Sequence, residues 1–305
     1  YKTIPFFALI GLGYSAAIIR FFSAEATAYL TKFVFYFALS AMLFRFSSDL
    51  SLSELYDPEF IYAYLSASLI IYFLATAVAI FRKKVPSEAA VEAQCSVIGN
   101  VGFLGIPMLA ILMGPKSVGF IMIILAIDLI VFGSLIVLII VASKDKKLDI
   151  FLFYRVLLGL MKNPMIVSII CGLLWSASGW SIPGPINDFI VMLGSAATPG
   201  ALFAIGASLA QKSTERFEVA AWLSFCKLVL HPFAVCIAVF YIFEVELYAA
   251  TVMIAAASLP VAGNIFMVAQ HYNVAPKRAS AAIFLSTVFS IFTVSFTIAW
   301  VSNLN

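Results

Sequence analysis

Two short stretches carry the residue types that could hold a small solute. The first reads Gly99-Asn100-Val101-Gly102-Phe103-Leu104-Gly105-Ile106-Pro107, the second Pro260-Val261-Ala262-Gly263-Asn264-Ile265. Each sets a Gly-Asn pair near a proline inside an apolar run. Proline removes a backbone donor and clashes with the carbonyl four residues earlier, that of Phe103 for Pro107 and of Ala256 for Pro260. Gly99, Gly102, Gly105 and Gly263 weaken the helix further and let another backbone come close. A broken helix in a membrane exposes half-helix N-termini, which favour an anion, and loose carbonyls, which favour a cation. Asn100 and Asn264 would add neutral donors and acceptors there, with Val101 and Ile265 beside them. Tight packing of small residues around a proline kink is the plainer account of either stretch alone. A matched pair speaks against it.

Ionisable groups at mid-helix in a membrane cost roughly 2.5–3.5 kcal/mol on insertion scales, so the few present stand out. Asp128 lies near the middle of one apolar run, and Lys227 lies in another, one turn before His231. A carboxylate substrate, a proton or an internal ion pair would each account for Lys227, and so would a side chain that reaches back to the cytoplasmic face. Asp128 fits a structural or coupling role better than contact with an anion, because like charges repel. Lys32 and Arg45 lie near the ends of their run and can reach the surface; Glu92 opens the run holding Asn100 and is expected to be solvated, with a gating role open to it. Cys95, Cys171, Cys226 and Cys236 fall inside apolar runs as expected buried thiols, since no two show metal or redox spacing. With His231 and His271 as its two histidines, the chain has no H-E-x-x-H metal motif, and no Walker-type phosphate loop appears. The expectation is therefore no enzyme, no metal and no cofactor, with H⁺ or Na⁺ as candidate coupling ions.

The elements that must position these residues follow from composition. The chain has 305 residues, 64% hydrophobic and 11% charged, with mean hydropathy +1.09. Soluble domains carry roughly 25% charged residues. A set of bilayer-spanning helices absorbs the apolar excess; a single core could not. The net charge of +3 does not argue for nucleic acid. The chain opens on Tyr1, so further residues are expected to precede it.

Ten apolar segments run approximately over 3–19, 28–46, 60–81, 89–113, 117–142, 163–179, 186–210, 219–243, 247–270 and 279–301, the first and sixth being short. The loops after the odd-numbered segments hold Arg20; Arg82, Lys83 and Lys84; Lys144, Lys146, Lys147, Arg155 and Lys162; Lys212 and Arg216; and Lys277 and Arg278. The opposite side has Lys2 and Lys116 among Asp49, Glu54, Asp57, Glu244 and Glu246. The basic side should be cytoplasmic, which puts both termini outside. A shift of 159 residues superposes Pro5 on Pro164, Ile10 on Ile169, Gly13 on Gly172, Ala38 on Ala197, Leu43 on Leu202, Phe44 on Phe203 and Leu50 on Leu209. The two Gly-Asn pairs recur at a spacing of 164. Residues 1–142 and 163–305 thus read as two five-helix repeats joined by a cytoplasmic linker over 143–162. Five is odd, so the repeats must be inverted, a signature of alternating-access carriers.

The run Gly99 to Pro107 resembles the signature of the auxin efflux carrier family. So do Lys227-Leu-Val-Leu-His-Pro232, Ser258-Leu-Pro-Val-Ala-Gly-Asn264 with Tyr272-Asn273, and Leu12-Gly13-Tyr14. The similarity extends over essentially the whole chain. It implies that segments four and nine cross at their breaks to form the substrate site, and that a scaffold domain and a transport domain move against each other. It also implies organic-anion cargo such as auxin or malonate. The family usually has proline in segment two where this chain has Ser40, while the repeat partner Pro199 is kept. The long cytoplasmic loop of the plant members is absent, which suits a compact bacterial-type carrier.

The expectation is an all-α membrane protein of ten transmembrane helices, with helices four and nine broken and crossing. It would carry a small organic anion by alternating access, multi-pass in the cell membrane, with a homodimer as the candidate assembly. The substrate-binding set is Gly99, Asn100, Val101, Pro107, Pro260, Gly263, Asn264 and Ile265, with Lys227 and Asp128 for charge or coupling. A sodium-coupled symporter of bile-acid type is the near alternative, and a non-transporting membrane sensor or scaffold the more distant one.

Overall fold

The computed structural model describes residues 4–49, 57–145, 158, 161, 164–210 and 217–304. Most of the linker over 143–162, and with it Lys146, Lys147, Arg155 and Lys162, lies outside the described residues, as do Lys2, Glu54, Lys212 and Arg216.

An apolar run in a bilayer must satisfy its own backbone, and helix does so locally. The described chain is helical, with no strand. We number the helices α1 Ile4–Ile18, α2 Ala24–Ser48, α3 Pro58–Phe81, α4 Pro86–Val97, α5 Val101–Met113 and α6 Ser117–Ser143. These are followed by α7 Pro164–Ser178, α8 Gly184–Leu209, α9 Phe217–Ile242, α10 Leu247–Ala257, α11 Asn264–His271 and α12 Pro276–Val301. By length and composition α2, α3, α6, α8, α9 and α12 can cross a membrane, while α1, α5, α7 and α10 are apolar but shorter. α1 and α7 have 15 residues each, a rise of only about 22 Å. Local chemistry sets the ends. Ser23 accepts a hydrogen bond from the Ala26 N–H to cap α2, and Asp57 does the same for Phe60 with Pro58 at the first position of α3.

Segment two keeps its helix without the family's proline. Residues Val34–Ala38 form a π-helical turn, and Ser40 Oγ donates to the Phe35 carbonyl at 3.2 Å. Of the cysteines, Cys95 and Cys226 are buried and Cys236 half-buried, but Cys171 is exposed on α7. An apolar run in a membrane protein has a lipid-facing side, so membership of the run did not imply burial of each residue.

The chain forms two compact units. The first comprises Tyr1–Tyr56, Gly102–Gly119 and Gly159–Lys212; the second comprises Asp57–Val101, Phe120–Leu158 and Ser213–Asn305. Both draw on both halves of the sequence.

In the first unit α1 packs on α8 and α7 on α2. A Cβ at Gly13 would collide with the Phe203 backbone, and one at Gly172 with Ser47 and the Phe44 carbonyl. Glycine at these crossings lets the helix backbones touch. The two crossings correspond residue for residue, since the 159-residue shift carries Gly13 to Gly172 and Phe44 to Phe203. The second unit holds α3, α4, most of α6, and α9 to α12, and it contains both Gly-Asn pairs.

Candidate functional site

The two Gly-Asn stretches fold as non-helical chain between half-helices. α4 stops at Val97, Ile98 is extended with φ −79° and ψ 115°, and helix resumes with a π-helical turn at Val101–Gly105. α10 stops at Ala257, and helix resumes at Asn264. The two open pieces pair antiparallel, with Gly99 opposite Val261. Asn100 N–H donates to the Pro260 carbonyl at 2.8 Å, and Ala262 N–H donates to the Ile98 carbonyl at 3.1 Å. The Val261 N–H is taken up by Ser286 Oγ of α12 at 3.0 Å. Backbone groups released by the breaks thus find partners inside the protein, as a membrane interior demands.

This crossover brings together most of the residues singled out in the sequence. Gly99, Asn100, Val101, Pro260 and Ile265 are buried at it. Asn264 is half-buried as the first residue of α11, and its buried Oδ1 has no hydrogen-bond partner. Gly263 is exposed. Pro107 stands apart: the chain opens at Ile98–Asn100, upstream of it, and Pro107 is buried early in a helix of the first unit. The π-helical turn Val101–Gly105 immediately precedes that helix and accommodates the proline without a second break. The turn Cys226–Leu230 does the same ahead of Pro232.

Lys227 and Asp128 each sit in a π-helical turn, Cys226–Leu230 and Asp128–Phe132. Lys227 is 0% exposed, so it does not reach the surface. Its Nζ donates to the Ala257 carbonyl and lies 3.2 Å from His231 Nδ1. It also lies behind Gly99, where a Cβ would come within 3.3 Å of Lys227 Cε. Ala257 ends α10 and Gly99 lies two residues past the end of α4, so one cation serves two half-helix C-termini. Each terminus carries roughly half a negative charge, which makes a buried ammonium tolerable there. No ion pair among the described residues joins Lys227 to Asp128.

Asp128 Oδ1 instead accepts a hydrogen bond from the Tyr64 hydroxyl at 2.9 Å, while its Oδ2 is buried without a partner. Ser68 Oγ is 3.0 Å from His231 Nε2, and the Tyr64 ring meets the His231 ring edge-on at 5.8 Å. Tyr64, Ser68 and His231 are fully buried. His231 carried a sequence signal, one turn from Lys227 and next to a proline. Tyr64 and Ser68 carried none, since tyrosine and serine occur throughout the apolar runs.

Glu92 departs from its expected solvation: it is 0% exposed. Arg82 pairs with its Oε2, and Arg278 approaches Oε1 at 2.8 Å and Glu88 at 3.3 Å. Two guanidinium groups replace the water that the carboxylate was expected to keep, and bidentate-capable arginines suit that task. A cavity of about 620 Å³ beside this cluster is lined by Arg82, Lys84, Glu218, Trp222 and Arg278 among others, and it shares no residue with the crossover.

A family described as membrane transport protein matches residues 1–298. A protein of Rhizobium meliloti (strain 1021) named "Putative malonate transporter" is 28% identical over 295 residues, covering 96% of this chain and 92% of that one.

Proposed function

The chain belongs to the membrane transport protein family of auxin efflux carriers, and on that premise we propose that it is a secondary carrier of small organic anions. It is a multi-pass membrane protein and a transporter, not an enzyme. The observation that carries the finer reading is the backbone exchange between two interrupted helices, Asn100 to Pro260 and Ala262 to Ile98. Helix starts at Val101 and Asn264 lie next to this exchange, and helix N-termini favour anions. Asn100 and the unpartnered Oδ1 of Asn264 add polar groups beside them. Lys227 holds the opposite, C-terminal ends and offsets their partial negative charge.

Ten segments result when α4 with α5, and α10 with α11, each count as one interrupted crossing. The matched Gly13–Phe203 and Gly172–Phe44 crossings support two copies of one five-helix plan, and an odd number of segments per copy requires inversion. Alternating access about the crossover follows from that symmetry. The basic loops orient the carrier with the 143–162 linker in the cytoplasm. A membrane-impermeant thiol reagent should fail to label a single cysteine placed at Lys146 in intact cells; strong labelling reverses the orientation.

The relative's name makes malonate the first probe. In proteoliposomes, Asn100→Ala and Asn264→Ala should each lower exchange of labelled malonate at least tenfold without changing the melting temperature in detergent. Wild-type exchange in both variants removes the crossover as the binding site.

A further inference from the structure

We propose that the second unit carries a proton-coupling site, with Asp128 Oδ2 as the group that loads and releases the proton. Lys227, His231, Ser68 and Tyr64 form the donor chain that links it to the crossover. This rests on the carrier reading above and adds the coupling ion to it.

The donors fix a direction along the chain. An ammonium has donors only, so Lys227 gives hydrogen bonds to the Ala257 carbonyl and to His231 Nδ1. With Nδ1 accepting, a neutral His231 carries its proton on Nε2 and donates to Ser68 Oγ at 3.0 Å. Ser68 lies one helical turn from Tyr64 on the same helix, and Tyr64 donates to Asp128 Oδ1 at 2.9 Å. The proposed chain runs from the cation at the crossover to the carboxylate, with Ser68 and Tyr64 on neighbouring turns of α3 as its middle step. The chain spends Oδ1 and leaves Oδ2 unpartnered at a residue 3% exposed. A buried carboxylate oxygen with no donor is costly, and a proton on it removes the charge that makes it so.

Charge balance ties that proton to the anion. In the proposed cycle Asp128 is ionised and balances Lys227 while the crossover is empty, the two groups attracting each other within the unit. An anion arriving near Gly99 claims the Lys227 charge and leaves Asp128 uncompensated. One proton taken from water on the loading side then forms an O–H bond at Oδ2 and restores neutrality. Anion departure on the other side returns Lys227 to Asp128, the O–H bond breaks, and the proton goes to water there.

Other titratable groups in the unit do not compete for this role. Tyr72 of α3 has a buried hydroxyl without a partner, Cys226 of α9 and Cys95 of α4 are buried thiols, and Glu92 of α4 is held by Arg82 and Arg278.

Two measurements on the purified full-length chain test the proposal. Infrared difference spectra on acidification in detergent should show a carboxyl C=O band that Asp128→Asn lacks and Tyr64→Phe shifts. Absence of that band overturns the proposal whatever the substrate is. Proteoliposomes with an internal pH dye, at clamped potential and free of sodium, should take up about one proton per labelled malonate. Asp128→Asn should lower that ratio at least tenfold, and Asp128→Glu should restore it. A purely structural Asp128 would lower both fluxes together and leave the ratio unchanged, which overturns the proposal. Malonate uptake that requires sodium and moves no proton also overturns it while the carrier reading stands. Failure of the wild type to exchange malonate counts against the carrier reading for that anion, and the infrared band still decides the proton site.

Discussion

The two compact units bury their interiors by opposite means. Among the described residues of the first unit no charged side chain is buried. Its helices meet through Gly13, Gly172 and Gly206, and its buried hydroxyls on Thr27, Ser47 and Ser117 donate to carbonyls three or four residues back, that of Ser117 also to the Leu109 carbonyl. In the second unit Glu92, Asp128, Lys227, His231 and Arg278 are all buried, and their partners come from other helices. Close backbone approach rewards shape and is rigid; buried charge is expensive and is kept where it acts. The contrast teaches that, among the described residues, buried charge lies in the second unit, whereas the first is held by close contact of helix backbones.

The largest expected effect breaks the charged side of that comparison. Glu92→Ala leaves two arginines facing each other in the space the carboxylate neutralised. Stranding a buried ion-pair partner costs about 3–5 kcal/mol, so the detergent-solubilised variant should lose most of its folded fraction in a thermal size-exclusion assay. Glu92→Gln, which fills the space and keeps one acceptor oxygen, should lose less. Equal stability of wild type and Glu92→Ala would mean that water reaches the cluster.

Next comes the steric side. Gly13→Val and Gly172→Val each force a side chain into backbone of the neighbouring helix. Overpacking of this kind costs about 1–3 kcal/mol, sometimes more. If the crossings are repeat equivalents, the two variants should melt at similar temperatures. A loss at one site and none at the other would break the equivalence of the repeats.

A smaller effect tests the support beneath the crossover. Ser286→Ala removes the acceptor for the Val261 N–H. A buried donor left unsatisfied costs about 1–3 kcal/mol, but Ser286→Thr keeps the hydroxyl. Hydrogen exchange at Val261 should quicken in the alanine variant and not in the threonine one.

These residues also show how far the sequence could be read. The interruptions at Gly99 and Gly263 were legible because glycine, asparagine and proline recur together at two matched places in otherwise apolar runs. Their position within each segment was less so. Pro107 marked the wrong turn because a π-helical bulge can accommodate a proline, and no residue type announces such a bulge. Gly13, Gly172, Phe44 and Phe203 were visible as matches at one offset, but that they touch in swapped pairs is tertiary information. The role of Lys227 could not be resolved along the chain because its main partner is a backbone carbonyl, and every residue has one. Glu92 read as solvated because Arg278, its partner, is 186 residues away and looked like an ordinary basic loop residue.

The smallest expected effect isolates packing from helix propensity. Gly11 and Gly13 lie two residues apart on α1, so they point in different directions. An added Cβ at Gly11 meets nothing within 4 Å, whereas at Gly13 it strikes the Phe203 backbone. Both positions are helical, and alanine gains about 0.8–1.0 kcal/mol over glycine in a helix interior. Gly11→Ala should therefore be neutral to slightly stabilising in the same thermal assay, while Gly13→Ala should destabilise despite the identical propensity gain. The difference between the two melting shifts reads the cost of parting α1 from α8, with side-chain size and backbone entropy cancelled. If both variants shift alike, close backbone contact does not hold the first unit together, and the contrast with the second unit loses its physical basis.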